Sequence, residues 1–174
     1  KEFIHKAWRR SLLLGASLSP MDSWLLLRGL KTLSLRIKQI NENALELATW
    51  LDGKQSVQKV TYVGLPSHPQ HALASTQMRG FTGMLSIELA GEDEQKAYAN
   101  AQRLLAKLEI FANAVSLGGV ESLITHPASL WNSTQQPGAP SKPVFHLGLL
   151  RISVGIEHID DLKADLQQAL KSIQ

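Results

Sequence analysis

The sequence predicts a mixed domain of the α/β or α+β class, with long N-terminal helices followed by a small sheet covered by helices. Three observations predict it. Apolar residues recur at helical spacing through residues 2–51. Short segments of strand character then alternate with helical ones, as at 83–89, where Leu85, Ile87 and Leu89 alternate with Met84, Ser86 and Glu88. The chain closes on a stripe of Ile159, Leu162, Leu166, Ala169, Leu170 and Ile173, the spacing of an amphipathic helix.

Taken in order, Phe3, Ile4, Ala7, Trp8, Ser11 and Leu14 share one side of a helix over residues 2–14, and Gly15 suits the position just past its end. A second start follows at once. Ser19 can cap, Pro20 occupies a first position where its missing N–H costs nothing, and Asp22 lies near the positive end of the helix dipole. From there the pattern stays helical to Leu51, with Gly29 and Ser34 as bends, and Asp52-Gly53 closes it. Strands are expected at 57–63, 83–89, 110–115 and 147–154, and helices at 69–78, beginning at a proline, and at 93–108. Residues 132–143, rich in Ser, Gln, Pro and Gly, read as a surface loop. The expected organisation is one domain over 1–174: a leading helix and turn at 1–18, a long helical segment at 19–52 and a small α/β portion at 53–174.

Composition narrows the function classes. The chain has 174 residues, 44% hydrophobic and 19% charged, enough for one core and not the balance of a disordered chain. No apolar run approaches the roughly 20 residues that a membrane helix needs. No charged-then-apolar leader opens the chain, so a cytoplasmic location is expected. Lys1 rather than Met stands first, which fits processing or a piece of a longer chain. The absence of cysteine excludes disulfides and zinc–thiolate sites. A net charge of +3 and a pI near 9.3 invite a nucleic-acid reading. The basic residues are interleaved with 15 acidic ones and never form a block, so no nucleic-acid partner is expected.

Few residues stand out chemically. Arg151 sits within the apolar run 149–154, where a guanidinium must be paired or face a cleft, because an unpaired buried charge is too costly. One reading makes it a forked clamp for a carboxylate; the other makes it a structural ion pair or an edge residue in water. Gly118-Gly119 is either a tight turn or a loop lining a ligand pocket. His68 and His71 lie three apart but have no ligand partner at metal spacing, so no metal is expected, and His68 borders the helix at Pro69. Asn132-Ser133-Thr134 matches a glycosylation sequon and reads as loop.

Several segments together resemble one family. Residues 18–33 (LSPMDSWLLLRGLKTL), 62–71 (YVGLPSHPQH), Gln77-Met78, 83–86, 116–124 (SLGGVESLI) and 150–157 (LRISVGIE) are similar, in this order, to the C-terminal region of the cystathionine γ-synthases, γ-lyases and β-lyases. The resemblance runs from about Gly15 to the end. It implies fold type I of the pyridoxal-phosphate enzymes, homotetramers, and γ-replacement or elimination at the β or γ carbon of cystathionine, homoserine esters or related thio-amino acids. In such enzymes a lysine holds the cofactor as a Schiff base and the ring acts as an electron sink.

The same resemblance makes Arg151 the ligand of the substrate α-carboxylate, with Ser116 and Leu117 lining the pocket. It places the cofactor lysine, the ring-stacking aromatic and the phosphate ligands upstream of residue 1, so no cofactor-binding or catalytic residue is expected in this chain. A missing N-terminal domain or companion chain is the implied partner, with an exposed apolar face on the first helices around Trp8, Leu12 and Trp24. The alternative is a stand-alone, non-catalytic assembly or regulatory module derived from that family.

Two departures bear on the substrate. Val115 stands where many synthases and γ-lyases carry an acidic residue, and an apolar side chain cannot pair with a distal ammonium. Leu130-Trp131-Asn132 stands where those enzymes carry Met-Thr-His, so Trp131 replaces a small hydroxyl residue. Ile40 stands where a histidine is common in the long helix and is read as structural.

Overall fold

The computed structural model describes residues 1–15, 17–131 and 145–173. The expected loop at 132–143 and the sequon at 132–134 lie outside the described residues. The chain divides into two compact units, Lys1–Leu35 and Arg36–Gln174.

The first unit holds α1 (Glu2–Leu14) and α2 (Pro20–Leu30). Gly15 ends α1 in the left-handed region, φ 69°, and its N–H donates to the Ser11 carbonyl, as a glycine just past a helix end does. Ser19 caps α2: its hydroxyl oxygen accepts from the Asp22 N–H at 3.1 Å and its O–H donates to the Asp22 carboxylate at 2.7 Å. Neither helix buries a residue. Trp8, Leu12 and Trp24 remain 57%, 62% and 56% exposed.

The helical segment expected to Leu51, with bends at Gly29 and Ser34, is two helices. It stops at Leu30, turns through Lys31 and Thr32, and resumes as α3 (Leu33–Asp52). The break falls between the two bends that the sequence suggests, Gly29 and Ser34.

The second unit follows from α3 with β1 (Val57–Thr61), α4 (His71–Gln77), β2 (Met84–Leu89), α5 (Glu94–Leu105), β3 (Ala112–Asn113), β4 (Leu123–Thr125), α6 (Pro127–Trp131), β5 (Leu149–Ser153) and α7 (Ile159–Lys171). One mixed sheet runs in the order β1-β2-β5-β4-β3, antiparallel except for the β3–β4 pair. The strand expected at 110–115 shrinks to two residues, because only Ala112 and Asn113 find a partner in β4. The helix expected from Pro69 begins at His71, and His68 borders it as anticipated, its ring Nδ1 accepting from the Gln70 N–H at 3.2 Å.

Side chains alternate across a strand, so the sheet has two faces of different chemistry. Leu85, Ile87 and Leu89 of β2, Leu150 and Ile152 of β5 and Ile124 of β4 join one buried cluster. Into it α3 contributes Ala44, Leu47, Ala48 and Leu51, α5 contributes Ala101 and Leu104, and α7 contributes Leu162, Leu166, Ala169 and Leu170. The final helix therefore buries the stripe read from the sequence, with Ile159 and Ile173 packed at its margins. The opposite face takes the polar positions of β1, β2 and β5. Among the described residues no helix is long and apolar enough to cross a membrane.

Two polar groups are buried where the apolar pattern gives no hint of them. Asp165, on α7, is 5% exposed, and its carboxylate accepts the backbone N–H groups of Glu109, Ile110 and Phe111 at 2.8 to 3.1 Å and the Gln168 amide at 3.1 Å. Burial alone would raise its pKa. The three backbone donors and Gln168 outweigh burial and hold it below the ordinary carboxylate value. Tyr62 is buried with its hydroxyl donating to the Thr82 carbonyl at 2.9 Å, and burial pushes its pKa up to about 12. Thr82 holds φ at 68°, a conformation that β-branched residues rarely adopt, immediately before the strand that leads to the polar face.

Candidate substrate site

The polar face of the sheet is organised around Arg151. Strand register aligns Ser86 of β2 and Thr125 of β4 with Arg151 of β5, and Thr61 of β1 with Ser86. Directly opposed residues point to the same face. One row of hydroxyl and guanidinium side chains therefore crosses the sheet, Thr61–Ser86–Arg151–Thr125, on the side away from the apolar cluster.

The structure bears on the ion-pair reading of Arg151. It is not locked in an ion pair: no carboxylate of the described residues pairs with it. Its Nη2 donates to the Ser116 carbonyl at 2.8 Å, and its Nε is buried without a hydrogen-bond partner. The Thr125 hydroxyl, opposite it in register, is also buried without a partner. A guanidinium has five N–H donors and no acceptor, so one contact to a carbonyl orients the fork without neutralising it. What remains is a fixed positive charge with donors to spare beside an unsatisfied hydroxyl.

The contact to Ser116 ties Arg151 to the glycine-paired loop. Gly118 adopts φ 75°, the left-handed region, and its N–H donates to the Ser153 hydroxyl at 3.2 Å. An added Cβ at Gly118 would meet nothing within 4 Å, so the glycine serves the backbone turn rather than a close approach. Val115, Ser116 and Leu117 are all exposed. The structure thus brings Arg151 and Ser116 into direct contact, with Val115 and Leu117 on either side of Ser116 in the same loop.

Further residues complete the surroundings, and the sequence gives little sign of them. The Glu157 carboxylate accepts from the Ser122 N–H at 2.6 Å and from its hydroxyl at 2.8 Å. Asn43 of α3, 2% exposed, donates from its amide to the carbonyls of Gly155 and Glu157 at 3.1 and 2.9 Å. Ile40, one turn before Asn43, lies against Gly83, where an added Cβ would collide with it; its structural reading fits.

On the core side of the same sheet end, His126 is 1% exposed. Its Nε2 lies 2.6 Å from the Leu147 carbonyl, which fixes that nitrogen as the donor and leaves Nδ1 to accept from Ser129 at 2.6 Å. Burial lowers its pKa, with the Leu147 carbonyl acting in the opposite direction. This neutral ring anchors α6, in which Trp131 is the last residue; nothing is described of the Trp131 side chain.

His71 is a structural residue too. Its Nδ1 donates to the Val63 carbonyl at 2.8 Å and its ring stands 5.3 Å from that of Phe81. Among the described residues no group of three or more metal-ligating side chains exists.

The chain is similar to known proteins over most of its length. The family model described as Cys/Met metabolism PLP-dependent enzyme matches residues 2–171. A cystathionine beta-lyase of Coxiella burnetii (strain RSA 493 / Nine Mile phase I) is 45% identical over 157 residues, which cover 90% of this chain and 39% of that protein. An L-methionine gamma-lyase of Pseudomonas deceptionensis is 46% identical over 161 residues, 92% of this chain and 39% of its own length. The crystal structure of metB from Corynebacterium glutamicum matches with a TM-score of 0.77 at 41% identity, covering 88% of this chain and 38% of that one. The chain spans about two fifths of the length of the curated relatives it matches. It belongs to the pyridoxal-phosphate-dependent enzymes of cysteine and methionine metabolism.

Proposed function

We propose that this chain is the substrate-side portion of a pyridoxal-phosphate enzyme that cleaves or exchanges a carbon–sulfur bond in a thio-amino acid, of the cystathionine synthase/lyase or homoserine sulfhydrylase type. Arg151 receives the substrate α-carboxylate, and Ser116 and Leu117 form the wall beside it. Val115, apolar and exposed, offers no counter-charge to a distal ammonium. That favours substrates whose far end is uncharged, over cystathionine. The observation that carries the proposal is the state of Arg151: oriented by the Ser116 carbonyl, unpaired with any described acid, and holding a buried Nε without a partner. A carboxylate satisfies that fork in two parallel charge-assisted bonds.

The same donor set does not fit the cofactor itself. The groups aligned with Arg151 are hydroxyls, which cannot replace the amine that attaches pyridoxal phosphate. Lys59, in the neighbouring row of the sheet, is bound to Glu88 at 3.2 Å, while Lys54 lies against Gln167 and the Trp50 ring, and Lys163 against Glu46. In this proposal the attachment lysine and the phosphate ligands belong to the remainder of a longer polypeptide or to a companion chain. Assembly is as a homo-oligomer, a tetramer in the family, in the cytoplasm. Within this chain the work is binding and orientation: Arg151 fixes the carboxylate, and the loop at Ser116 sets where the rest of the substrate lies.

A direct test titrates the 174-residue chain with pyridoxal phosphate and follows visible absorbance. The expected spectrum is that of free cofactor throughout. A stable protein-bound visible band near neutral pH would contradict the assignment of all cofactor attachments to other residues.

A further inference from the structure

The segment that carries Ser116 has little regular structure of its own. Between the backbone bond from the Ala114 N–H to Ile124 and the start of β4, it is anchored by the Ala112 N–H of β3, which donates to the Ser122 carbonyl at 3.1 Å, and by β5 and the residues that follow it. Arg151 Nη2 donates to the Ser116 carbonyl at 2.8 Å, the Gly118 N–H donates to the Ser153 hydroxyl at 3.2 Å, and the Ile156 N–H donates to the Val120 carbonyl at 2.9 Å. The last anchor is of a different kind. Both oxygens of the Glu157 carboxylate accept from Ser122, one from its N–H at 2.6 Å and one from its hydroxyl at 2.8 Å, and the Ser122 oxygen in turn accepts from the Gly155 N–H at 2.8 Å.

We infer that Glu157 is a positioning residue of the substrate site: its two-pronged grip on Ser122 sets the loop that places Ser116, and through the Ser116 carbonyl it sets the plane of the Arg151 guanidinium. Bonds to an ionised acceptor are shorter and about twice as strong as neutral ones, so this anchor outweighs each of the neutral anchors of the loop. Glu157 is itself held from α3, where Asn43 donates to its backbone carbonyl and to that of Gly155, and Gln39 donates to the Asn43 side-chain oxygen at 2.9 Å. The polar chain Gln39–Asn43–Glu157–Ser122 therefore connects a helix of the buried core to an exposed loop. Gly155 is required at the crossing, since an added Cβ there would collide with the Val120 carbonyl and the Glu157 carboxylate. A carboxylate clamp discriminates only if its fork is fixed, and displacement of about 1 Å is enough to lose most of the benefit of orientation.

This inference rests on the reading of Arg151 as the carboxylate ligand, and the test separates the two. In the full-length protein, Glu157→Gln replaces one acceptor by an N–H pair facing the Ser122 donors. The expected result is a KM for the amino-acid substrate raised about tenfold with kcat changed less than about twofold. Hydrogen exchange at the Gly118 and Ser122 amides accelerates at the same time. Asp165→Asn, which weakens the unit at a different loop, serves as the control: it destabilises without moving KM. Where Glu157→Gln yields no folded protein, Ser122→Ala removes one prong and gives the same split at about threefold. An unchanged KM in the Glu157 or Ser122 variant, with KM raised in Arg151→Lys, overturns the positioning role and leaves the site reading standing. An unchanged KM in Arg151→Lys as well overturns both.

Discussion

In the full-length protein, Arg151→Ala raises KM for the amino-acid substrate by about a hundredfold and lowers kcat/KM by at least as much, as steady-state kinetics would show. The magnitude follows from two losses. A carboxylate that loses a paired, charge-assisted fork forfeits roughly 3 kcal/mol, and each 1.36 kcal/mol is tenfold in rate. The Ser116 carbonyl also loses the donor that fixes it, so the loop wall moves with the clamp. Arg151→Lys keeps a charge but not the planar fork, and its ammonium cannot hold Ser116 and bind a carboxylate in two parallel bonds at once, so it recovers only part of the loss. A substrate analogue with a carboxamide in place of the carboxylate discriminates further. The wild-type protein prefers the acid strongly, and in Arg151→Ala the preference collapses. Equal preference in both proteins would remove Arg151 from substrate recognition.

Asp165→Asn lowers stability at neutral pH by about 3 kcal/mol, seen as a fall of roughly 8 °C in the thermal midpoint. The carboxylate collects three backbone N–H groups and one side-chain amide at a site 5% exposed. Asparagine keeps the shape but turns one acceptor into a donor aimed at donors, and leaves buried N–H groups without partners. The sign of the pH dependence follows from the lowered pKa. A carboxylate held below its unfolded value of about 3.9 contributes its full stabilisation above that value and loses it as pH falls through the lower folded value. The stability gap between wild type and Asp165→Asn is therefore widest at neutral pH and closes in acid. A gap that stays constant down to the lowest pH at which the protein folds would mean that the charge of Asp165 is irrelevant.

These two residues show what a sequence discloses and what it hides. Arg151 is legible because a guanidinium in an apolar strand contradicts its surroundings, and because Gly118-Gly119 advertises a turn that needs the left-handed region. Asp165 and Glu157 are not legible. A carboxylate on an amphipathic helix or after a strand has the pattern of a solvated residue, and only the fold reveals that its partners are backbone N–H groups distant in sequence.

Strand β4 escapes for a related reason. Leu123, Ile124 and Thr125 are too few for periodicity, and their strand character comes from the partners on either side. The same partners shorten the segment at 110–115 to Ala112–Asn113. Helix α6 is hidden by its brevity. The bounds of α1 and the start and N-cap of α2 are legible to the residue, the end of α2 at Leu30 is not, and the apolar side chains of both helices remain exposed within the described chain. An apolar stripe states that a surface favours burial; it does not name what buries it.

The most informative measurement is a crystal structure of the full-length protein with an unreactive α-amino acid bound. The expected result is a carboxylate about 3 Å from the Arg151 guanidinium, with the Ser116–Leu117 segment against the ligand and Glu157 still holding Ser122. A ligand whose carboxylate is held elsewhere, with Arg151 turned to solvent or paired to an acidic side chain away from that loop, would contradict the assignment of this sheet face as the substrate site.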